Sequence, residues 1–473
     1  MGISEGTSCR MDSRRGRKQL TFYRQVSVSG VSQARMTEVV GVVLVLLSLS
    51  IDRIPLFGDA IPVQILPLSA VISLALLPWI RLRLRYSPLL GPVLCFAGYA
   101  LVHSVVALFV DIVLLRQEEV RIFAWFRQVV GLVMGVALFI VLKTGLVYLK
   151  SRDVVRVVTI GIAPSLLLSI ANLVWGYLGS EKAGAVVMAA RLLFGLKSWP
   201  TRVSGFSLEP SYFSIYLALI GIPFGLLGFV KSTRKSIWFG FLALVFIAIL
   251  ATLSLTGWFV ALVVLVTWMF VGPSRKHIMT ISFFLGICSA VALGGKLASS
   301  YAGSQLRAFL TGEWTVSIID RFYSAFGPFI KFGSSYVALG YGLGGTSAHF
   351  EQIVPEFVQE GIASVRWELL PNLNSLMGRI LAETGVIGLF LFARVLWQAF
   401  RVWVAIRSTL RGDDNWKFLT LAAGPVMVAT LVSTTIGGQG SFALPYLWFW
   451  LAVLDVASIK IREVEVYGTK DLT

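Results

Sequence analysis

Residues 62–110 read PVQILPLSAVISLALLPWIRLRLRYSPLLGPVLCFAGYALVHSVVALFV. Two long apolar runs flank a short segment in which Arg81, Arg83 and Arg85 alternate with leucine. A helix of about 20 apolar residues crosses the hydrocarbon core of a bilayer. Short loops rich in Lys and Arg stay on the cytoplasmic side. This stretch therefore predicts two membrane-spanning helices joined by a cytoplasmic loop.

The composition of the whole chain agrees with this stretch. The chain has 473 residues, of which 56% are hydrophobic and 14% are charged, and its mean hydropathy is +0.81. Soluble domains contain about 25% charged residues, so a chain this apolar needs lipid as part of its solvent. The net charge of +17 comes in short clusters between apolar runs. That distribution indicates loops that face anionic lipid, and not a nucleic-acid-binding surface.

The apolar runs predict an all-α polytopic membrane protein with about twelve transmembrane helices. The predicted spans are 37–56, 62–80, 88–110, 120–142, 154–174, 210–230, 236–253, 257–271, 278–295, 375–396, 418–436 and 442–459. With the N-terminus in the cytoplasm, the short inside loops are dense in Lys and Arg, as the positive-inside rule requires. Both termini are then cytoplasmic.

This topology divides the chain into five segments. They are a basic cytoplasmic N-terminal tail (1–36), spans one to nine (37–295), a large outer loop (296–374), spans ten to twelve (375–459) and a cytoplasmic tail (460–473). We expect the first span to be an uncleaved anchor and not a signal peptide. We also expect short helices of the large loop to lie across the outer mouth of the bundle, because long loops on a rigid scaffold usually carry function.

One polar segment, WPTRVSGFSLEPSYFS at 199–214, joins an outer loop to span six. Glu209 directly precedes Pro210 at the predicted helix start, where proline is tolerated and an acidic side chain suits the helix dipole. Alternatively, Glu209 is a carboxylate of a polar site at the membrane surface. Gly205 would permit a turn that brings it near Arg202. Both interpretations stay open from the sequence.

A second polar segment, NLNSLMGRILAETGVIG at 372–388, begins span ten. Arg379 and Glu383 are four residues apart and share one helix face. They form either an ion pair that fixes packing or part of an anion-binding pocket. Arg127 lies in the outer part of span four, where it either binds phosphate oxygens in a bidentate manner or reaches to the interface.

The large outer loop contains Arg321, His349 and a glycine run at 340–345. Because no strand–helix unit surrounds the run, it predicts a tight turn and not a nucleotide site. His349 is either a packing residue or a general base. The sequence contains no P-loop, zinc signature or nucleophile elbow. We therefore expect no metal and no cofactor, with the driving force supplied by the substrate or by a gradient.

Three segments, taken in order, resemble the O-antigen ligase and O-antigen polymerase superfamily. They are RVSGFSLEPSY at 202–212, LGYGLG at 339–344 and NSLMGRILAETG at 374–385. The layout is also similar, with about twelve spans, a middle-sized outer loop and one dominant outer loop. Ligases of this superfamily usually have a His-Asn pair where this chain has Asn374 and Ser375, a difference that favours a polymerase.

The resemblance implies a GT-C-like glycosyltransferase of the bacterial inner membrane with a periplasmic active site. It would polymerise undecaprenyl-diphosphate-linked oligosaccharide repeat units of a surface polysaccharide or exopolysaccharide. One alternative is a ligase that transfers finished glycan to lipid A core or another acceptor. An alternative of another class is a lipid-linked glycan transporter. Expected partners are the lipid-linked glycan, membrane lipid, a chain-length regulator and a flippase.

The resemblance also implies roles for particular residues. Arginines would stabilise the charge that develops on the diphosphate leaving group, and a base would take the proton of the acceptor hydroxyl. The expected catalytic residues are Glu209 and His349. The expected diphosphate- and glycan-binding residues are Arg127, Arg202, Tyr212, Arg321, Asn374 and Arg379.

Overall fold

The computed structural model describes most of the chain as packed helices. The described residues are 28–51, 67–80, 87–115, 119–194, 196, 198–200, 202–271, 303–304, 307–308, 311–312, 316–332, 336–353, 373–409, 415–436 and 440–468. Within these ranges the regular elements are helical and none is a strand. The predicted span 278–295, most of the N-terminal tail and residues 354–372 of the large loop lie outside the described residues.

The described residues form sixteen α-helices, which are numbered here in chain order. The first eight are α1 (Val28–Leu47), α2 (Leu68–Leu76), α3 (Leu90–Leu115), α4 (Glu119–Leu146), α5 (Ser151–Leu178), α6 (Glu181–Leu192), α7 (Pro210–Tyr216) and α8 (Ile222–Lys231). The others are α9 (Lys235–Ala251), α10 (Leu255–Val271), α11 (Val316–Ile330), α12 (Gly345–Ala348), α13 (Phe350–Ile353), α14 (Leu376–Thr409), α15 (Asn415–Ile436) and α16 (Pro445–Gly468).

Among the described residues, six helical segments are long and apolar enough to cross a membrane. They are Leu90–Val113, Arg121–Leu146, Ser151–Leu178, Pro210–Lys231, Leu376–Arg407 and Trp416–Ile436. Shorter apolar helices accompany them at Glu38–Leu47, Leu68–Trp79, Lys235–Ala251 and Leu255–Val271. The prediction of an α-helical membrane protein is therefore confirmed, whereas the count of twelve spans stays a prediction.

Local sequence explains several helix ends. Gly179 adopts the left-handed conformation that ends α5, a conformation that glycine reaches without steric cost. Ser180 then caps α6 by accepting a hydrogen bond from the Ala183 amide, as N-cap serines do. Pro210 occupies the first turn of α7, where its missing N–H costs nothing. A π-helical turn at Leu217–Gly221 joins α7 to α8 into one rod.

Helix α16 is the central element of the bundle. Every residue from 446 to 457 is buried, and the helix packs against α4, α14 and α15. Apolar residues lie on every face of this buried segment, as expected for a fully enclosed helix. The buried acid Asp455 is held at one end by the Ser87 hydroxyl at 2.7 Å and by Lys143 at 3.7 Å. These contacts join α16 to α4 and to the start of α3.

Helix α14 is interrupted at Gly385, which has φ of 66° and ψ of −168°. Only glycine adopts this backbone conformation at low cost. A Cβ atom at this position would also overlap the Leu339 carbonyl. The interruption therefore lets residues 338–340 of the large loop pack directly on the helix backbone, where the Tyr341 amide donates to the Ala382 carbonyl at 2.8 Å.

The substitution Gly385→Ala tests this close approach. We expect it to lower the free energy of unfolding by about 1–3 kcal/mol, since alanine strains this backbone conformation. Thermal unfolding of the purified protein in detergent measures the change. Gly98→Ala in α3 is the matched control, because a Cβ atom there meets nothing within 4 Å. Equal unfolding temperatures for the two variants would contradict the account of the interruption.

Candidate functional site

The glycine run of the large loop enters the helix bundle. Gly340, Gly342 and Gly344 have φ values of 86°, 75° and 75°. A Cβ atom on Gly342 would lie 2.6 Å from the Cβ of Ala107, and one on Gly344 would overlap the backbone of Ala124. The run therefore passes between α3 and α4 at a position where larger residues do not fit. The prediction of a tight turn is confirmed, and residues 340–345 are called the glycine turn below.

Arg121 attaches the glycine turn to the bundle. Its side chain is fully buried, and its Nη1 and Nη2 groups each donate at 2.7 Å, to the carbonyls of Leu343 and Tyr341. Its Nε donates to Oδ2 of Asp111 at 2.5 Å. Asp111 lies near the end of α3 and Arg121 near the start of α4, so one ion pair joins two helices and the turn.

His349 shares the Asp111 carboxylate with Arg121. Its Nε2 lies 3.3 Å from Oδ1 of Asp111, and its ring stacks on Tyr341 with centroids 4.5 Å apart. The side chain is 6% exposed. Asp111 and Tyr341 thus fix the position of the imidazole ring beside the glycine turn.

Glu383 and Arg379 lie on the same face of α14, as their spacing predicts. Oε1 of Glu383 accepts from the Thr346 hydroxyl at 2.8 Å and lies 3.8 Å from Nε of Arg379. Thr346 lies in α12, directly after the glycine turn. Arg379 further donates to Oε1 of Gln128 at 3.0 Å and to the carbonyl of Leu373 at 2.6 Å. The two side chains thus connect α14 to α4 and to the glycine turn.

Arg127 lies on α4 and is 9% exposed. It interacts electrostatically with Glu383 and Arg379. Among the described residues, its Nε and Nη2 atoms have no hydrogen-bond partner, and neither does Oε2 of Glu383. Buried polar atoms are nearly always paired, and leaving them unpaired is costly. Unsatisfied donors on a buried cation therefore mark a position suited to an anionic group.

The buried charge cluster is defined here as Asp111, Arg121, Arg127, Arg379 and Glu383. It contains three guanidinium groups and two carboxylates, so positive charge is in excess. An uncompensated charge inside a membrane protein is expensive and usually functional. The arrangement is therefore chemically suited to hold an anion with bidentate oxygens, such as a phosphate or diphosphate.

The structure brings four predicted site residues together and places others apart. One of the four is His349, which contacts Asp111 of the cluster. Arg127 and Arg379 lie in the cluster, and Tyr212 of α7 interacts electrostatically with Arg379. Arg321 is half-buried on α11, which packs against α14. Asn374 lies two residues before the start of α14 and is also half-buried.

Arg202 and Glu209 contact different partners. Nε of Arg202 donates to the Thr252 carbonyl at 3.0 Å. Glu209 is the residue before α7, and its Oε2 accepts from the Ser211 hydroxyl at 3.2 Å. Gly205 adopts a positive φ of 50°, so the expected turn between them is present. The backbone carbonyl of Glu209 accepts from the Tyr212 amide at 3.1 Å, within the first turn of α7.

The sequence did not predict two buried residues that hold turns in place: Asp111, beside the glycine turn, and Arg191, beside the turn at Gly205. Asp111 is the one charged residue in the apolar sequence 90–115, and an isolated acid in a predicted span signals function or a buried partner. Arg191 is buried and donates to the carbonyls of Gly205 and Ser207, at 2.5 Å and 3.1 Å. Its helix, α6, lies within the outer loop predicted at 175–209, and no sequence pattern indicates that its side chain points inward.

No protein-family model matches the chain, and no curated protein sequence matches it. In the part of the chain that the structure describes, no three His, Cys, Asp or Glu side chains are grouped as metal ligands would be. The geometry of the buried charge cluster is therefore the main evidence on function.

The substitution Asp111→Asn tests how the cluster supports the fold. It leaves the buried Arg121 without its carboxylate, and we expect a loss of about 3–5 kcal/mol of stability. Thermal unfolding in detergent measures it. Glu181→Gln, at an exposed position in the first turn of α6, is the control and should change stability by less than about 0.5 kcal/mol. A variant as stable as this control would show that the ion pair does not hold the turn.

Proposed function

We propose that this chain is a glycosyltransferase that polymerises undecaprenyl-diphosphate-linked oligosaccharide repeat units at the periplasmic face of the bacterial inner membrane. The proposal includes a GT-C-like arrangement of about twelve spans and membership of the O-antigen ligase and polymerase superfamily. The observation that carries it is the buried Arg127, whose Nε and Nη2 donors have no partner among the described residues.

The charge of the cluster supports a diphosphate ligand in particular. Arg127 and Arg379 interact electrostatically with each other, and both interact with the same carboxylate, that of Glu383. A diphosphate would supply the missing negative charge and accept the free N–H donors. As its bond to the sugar breaks, more charge develops on the bridging oxygen. Donors that are already fixed in place stabilise this charge without reorganisation.

The proposed reaction transfers a glycan chain between lipid-linked substrates. An acceptor sugar hydroxyl forms a new bond to the anomeric carbon of the donor glycan, and the bond from that carbon to the diphosphate oxygen breaks. Undecaprenyl diphosphate leaves with the bonding electron pair. The hydroxyl proton passes to a base on the protein. The activated donor supplies the free energy, so the reaction needs no nucleotide hydrolysis.

His349 is the better supported of the two expected bases. Asp111 lies 3.3 Å from its Nε2 and would stabilise the imidazolium formed when the ring accepts a proton. Glu209 precedes α7 and accepts from Ser211, an arrangement that also suits a helix-terminal charge. We assign the base to His349 and a positioning role near Tyr212 to Glu209.

Loss of Arg127 tests the anion site. We expect Arg127→Gln to lower elongation of undecaprenyl-diphosphate-linked repeat units by roughly 100-fold or more, because transition-state charge loses a fixed donor. The assay uses the purified protein in detergent, where no compartment separates substrates. Arg394→Gln removes an exposed arginine of α14 and should keep full activity. Unchanged elongation by a folded Arg127→Gln protein refutes the assignment.

One variant of each candidate base shows which of the two residues accepts the proton. We expect His349→Asn to lower the rate of the chemical step by roughly 100-fold or more, with donor binding retained. Glu209→Gln should lower it much less. Single-turnover rates at saturating donor measure both. The reverse order of effects would assign the base to Glu209.

Polymerase and ligase activity leave different products in a deletion strain. Under the proposal, single repeat units remain on the acceptor when the protein is absent, because elongation fails while transfer continues. Mass spectrometry of extracted glycolipids measures this. Long chains accumulating on undecaprenyl diphosphate would instead identify a ligase. Normal glycans of both kinds would exclude either transferase.

A further inference from the structure

A polar cavity lies apart from the buried charge cluster and shares none of its residues. Its volume is about 780 Å³, and it lies between the start of α5, the turn that joins α8 to α9, and the start of α15. Residues 210–231 form one helical rod, in which Tyr212 interacts electrostatically with Arg379 of the buried charge cluster and Lys231 lies beside this cavity. At about 1.5 Å per residue the two regions are roughly 30 Å apart. The cavity is therefore separate from the buried charge cluster.

The cavity is strongly basic. Arg152, Arg156, Lys231 and Arg234 line it, and among the described residues of its wall none is Asp or Glu. Arg152 and Arg156 are one helical turn apart on α5, so both side chains face the same direction. Ser232 accepts from the Arg234 amide at 3.0 Å and shapes the turn opposite them. Four cations around one space repel each other unless an anion lies between them.

Apolar and aromatic side chains form the rest of the wall. They are Leu227, Ile237, Trp238, Phe418 and Leu419. The ammonium group of Lys231 lies 4.2 Å from the centroid of the Phe418 ring, so the cationic and apolar parts are continuous. A small soluble anion would use the basic rim and leave this wall without a partner. A molecule with an anionic head and an apolar tail would use both.

We propose that this cavity binds the phosphate headgroup of an anionic glycerophospholipid, with an acyl chain against Trp238 and Phe418. Arg152, Arg156 and Arg234 pair with the headgroup oxygens, and Lys231 lies where headgroup and chain meet. Basic pockets between membrane helices bind lipid headgroups in this way. The inference does not depend on the proposed glycosyltransferase activity, because its residues are distinct from the buried charge cluster.

The test compares lipid retention by two charge-matched triple variants. One carries Arg152→Gln, Arg156→Gln and Arg234→Gln in the cavity. The other carries Arg394→Gln, Arg401→Gln and Arg407→Gln, three exposed positions on α14. Purified full-length proteins are incubated with mixed micelles of phosphatidylglycerol or phosphatidylcholine. Bound lipid is counted by native mass spectrometry.

We expect wild type and the α14 variant to retain phosphatidylglycerol in preference to phosphatidylcholine. The cavity variant should bind phosphatidylglycerol roughly a hundredfold more weakly, since each basic residue near an anionic lipid contributes roughly a factor of five. Retention by the cavity variant equal to that of wild type would overturn the proposal. So would equal binding of both lipids.

Thermal unfolding shows whether the cavity prefers a phospholipid or free phosphate. Phosphatidylglycerol should raise the unfolding temperature of wild type, and inorganic phosphate at the same concentration should not. An equal shift with inorganic phosphate would make the cavity a site for a soluble anion and overturn the lipid assignment. The single variant Arg156→Gln, at an exposed position, should show a smaller loss in the same direction and guards against misfolding of the triple variant.

Discussion

The ion pair between Arg121 and Asp111 is the interaction on which the candidate site depends. Transferring two charges into the bundle costs several kcal/mol for each ion. The cost is offset because Arg121 also donates to the carbonyls of Leu343 and Tyr341. The glycine turn is thereby held between α3 and α4, where only glycine fits. Removing either partner leaves a buried charge without compensation.

The position of the turn determines the rest of the cluster. Thr346 follows directly after the turn, and its hydroxyl donates to Glu383. Glu383 in turn lies beside Arg379 and interacts with Arg127. The Nε, Nη1 and Nη2 groups of Arg121 all donate hydrogen bonds. By contrast, Nε and Nη2 of Arg127 have no hydrogen-bond partner among the described residues. A buried cation with unpaired N–H donors is suited to an anionic ligand.

Hydropathy predicts the helices well but does not predict how they meet. Each predicted span within the described residues overlaps a helix, since length and apolar content determine which segments enter lipid. The pairing of Arg379 with Glu383 follows from helical periodicity alone. The contact of Asp111 with His349 joins residues far apart in the chain, and no local spacing encodes it. Arg202 and Glu209 are close in sequence, yet each has another partner.

The proposed function requires the buried charge cluster to recognise a diphosphate. Binding of undecaprenyl diphosphate and of uncharged undecaprenol to the purified protein, compared between wild type and Arg127→Gln, tests it directly. Wild type should bind the diphosphate at least about tenfold more tightly than the alcohol, because charge-assisted hydrogen bonds are lost with the latter. Arg127→Gln should lose most of that preference. A preference that is unchanged in the folded variant would contradict the claim.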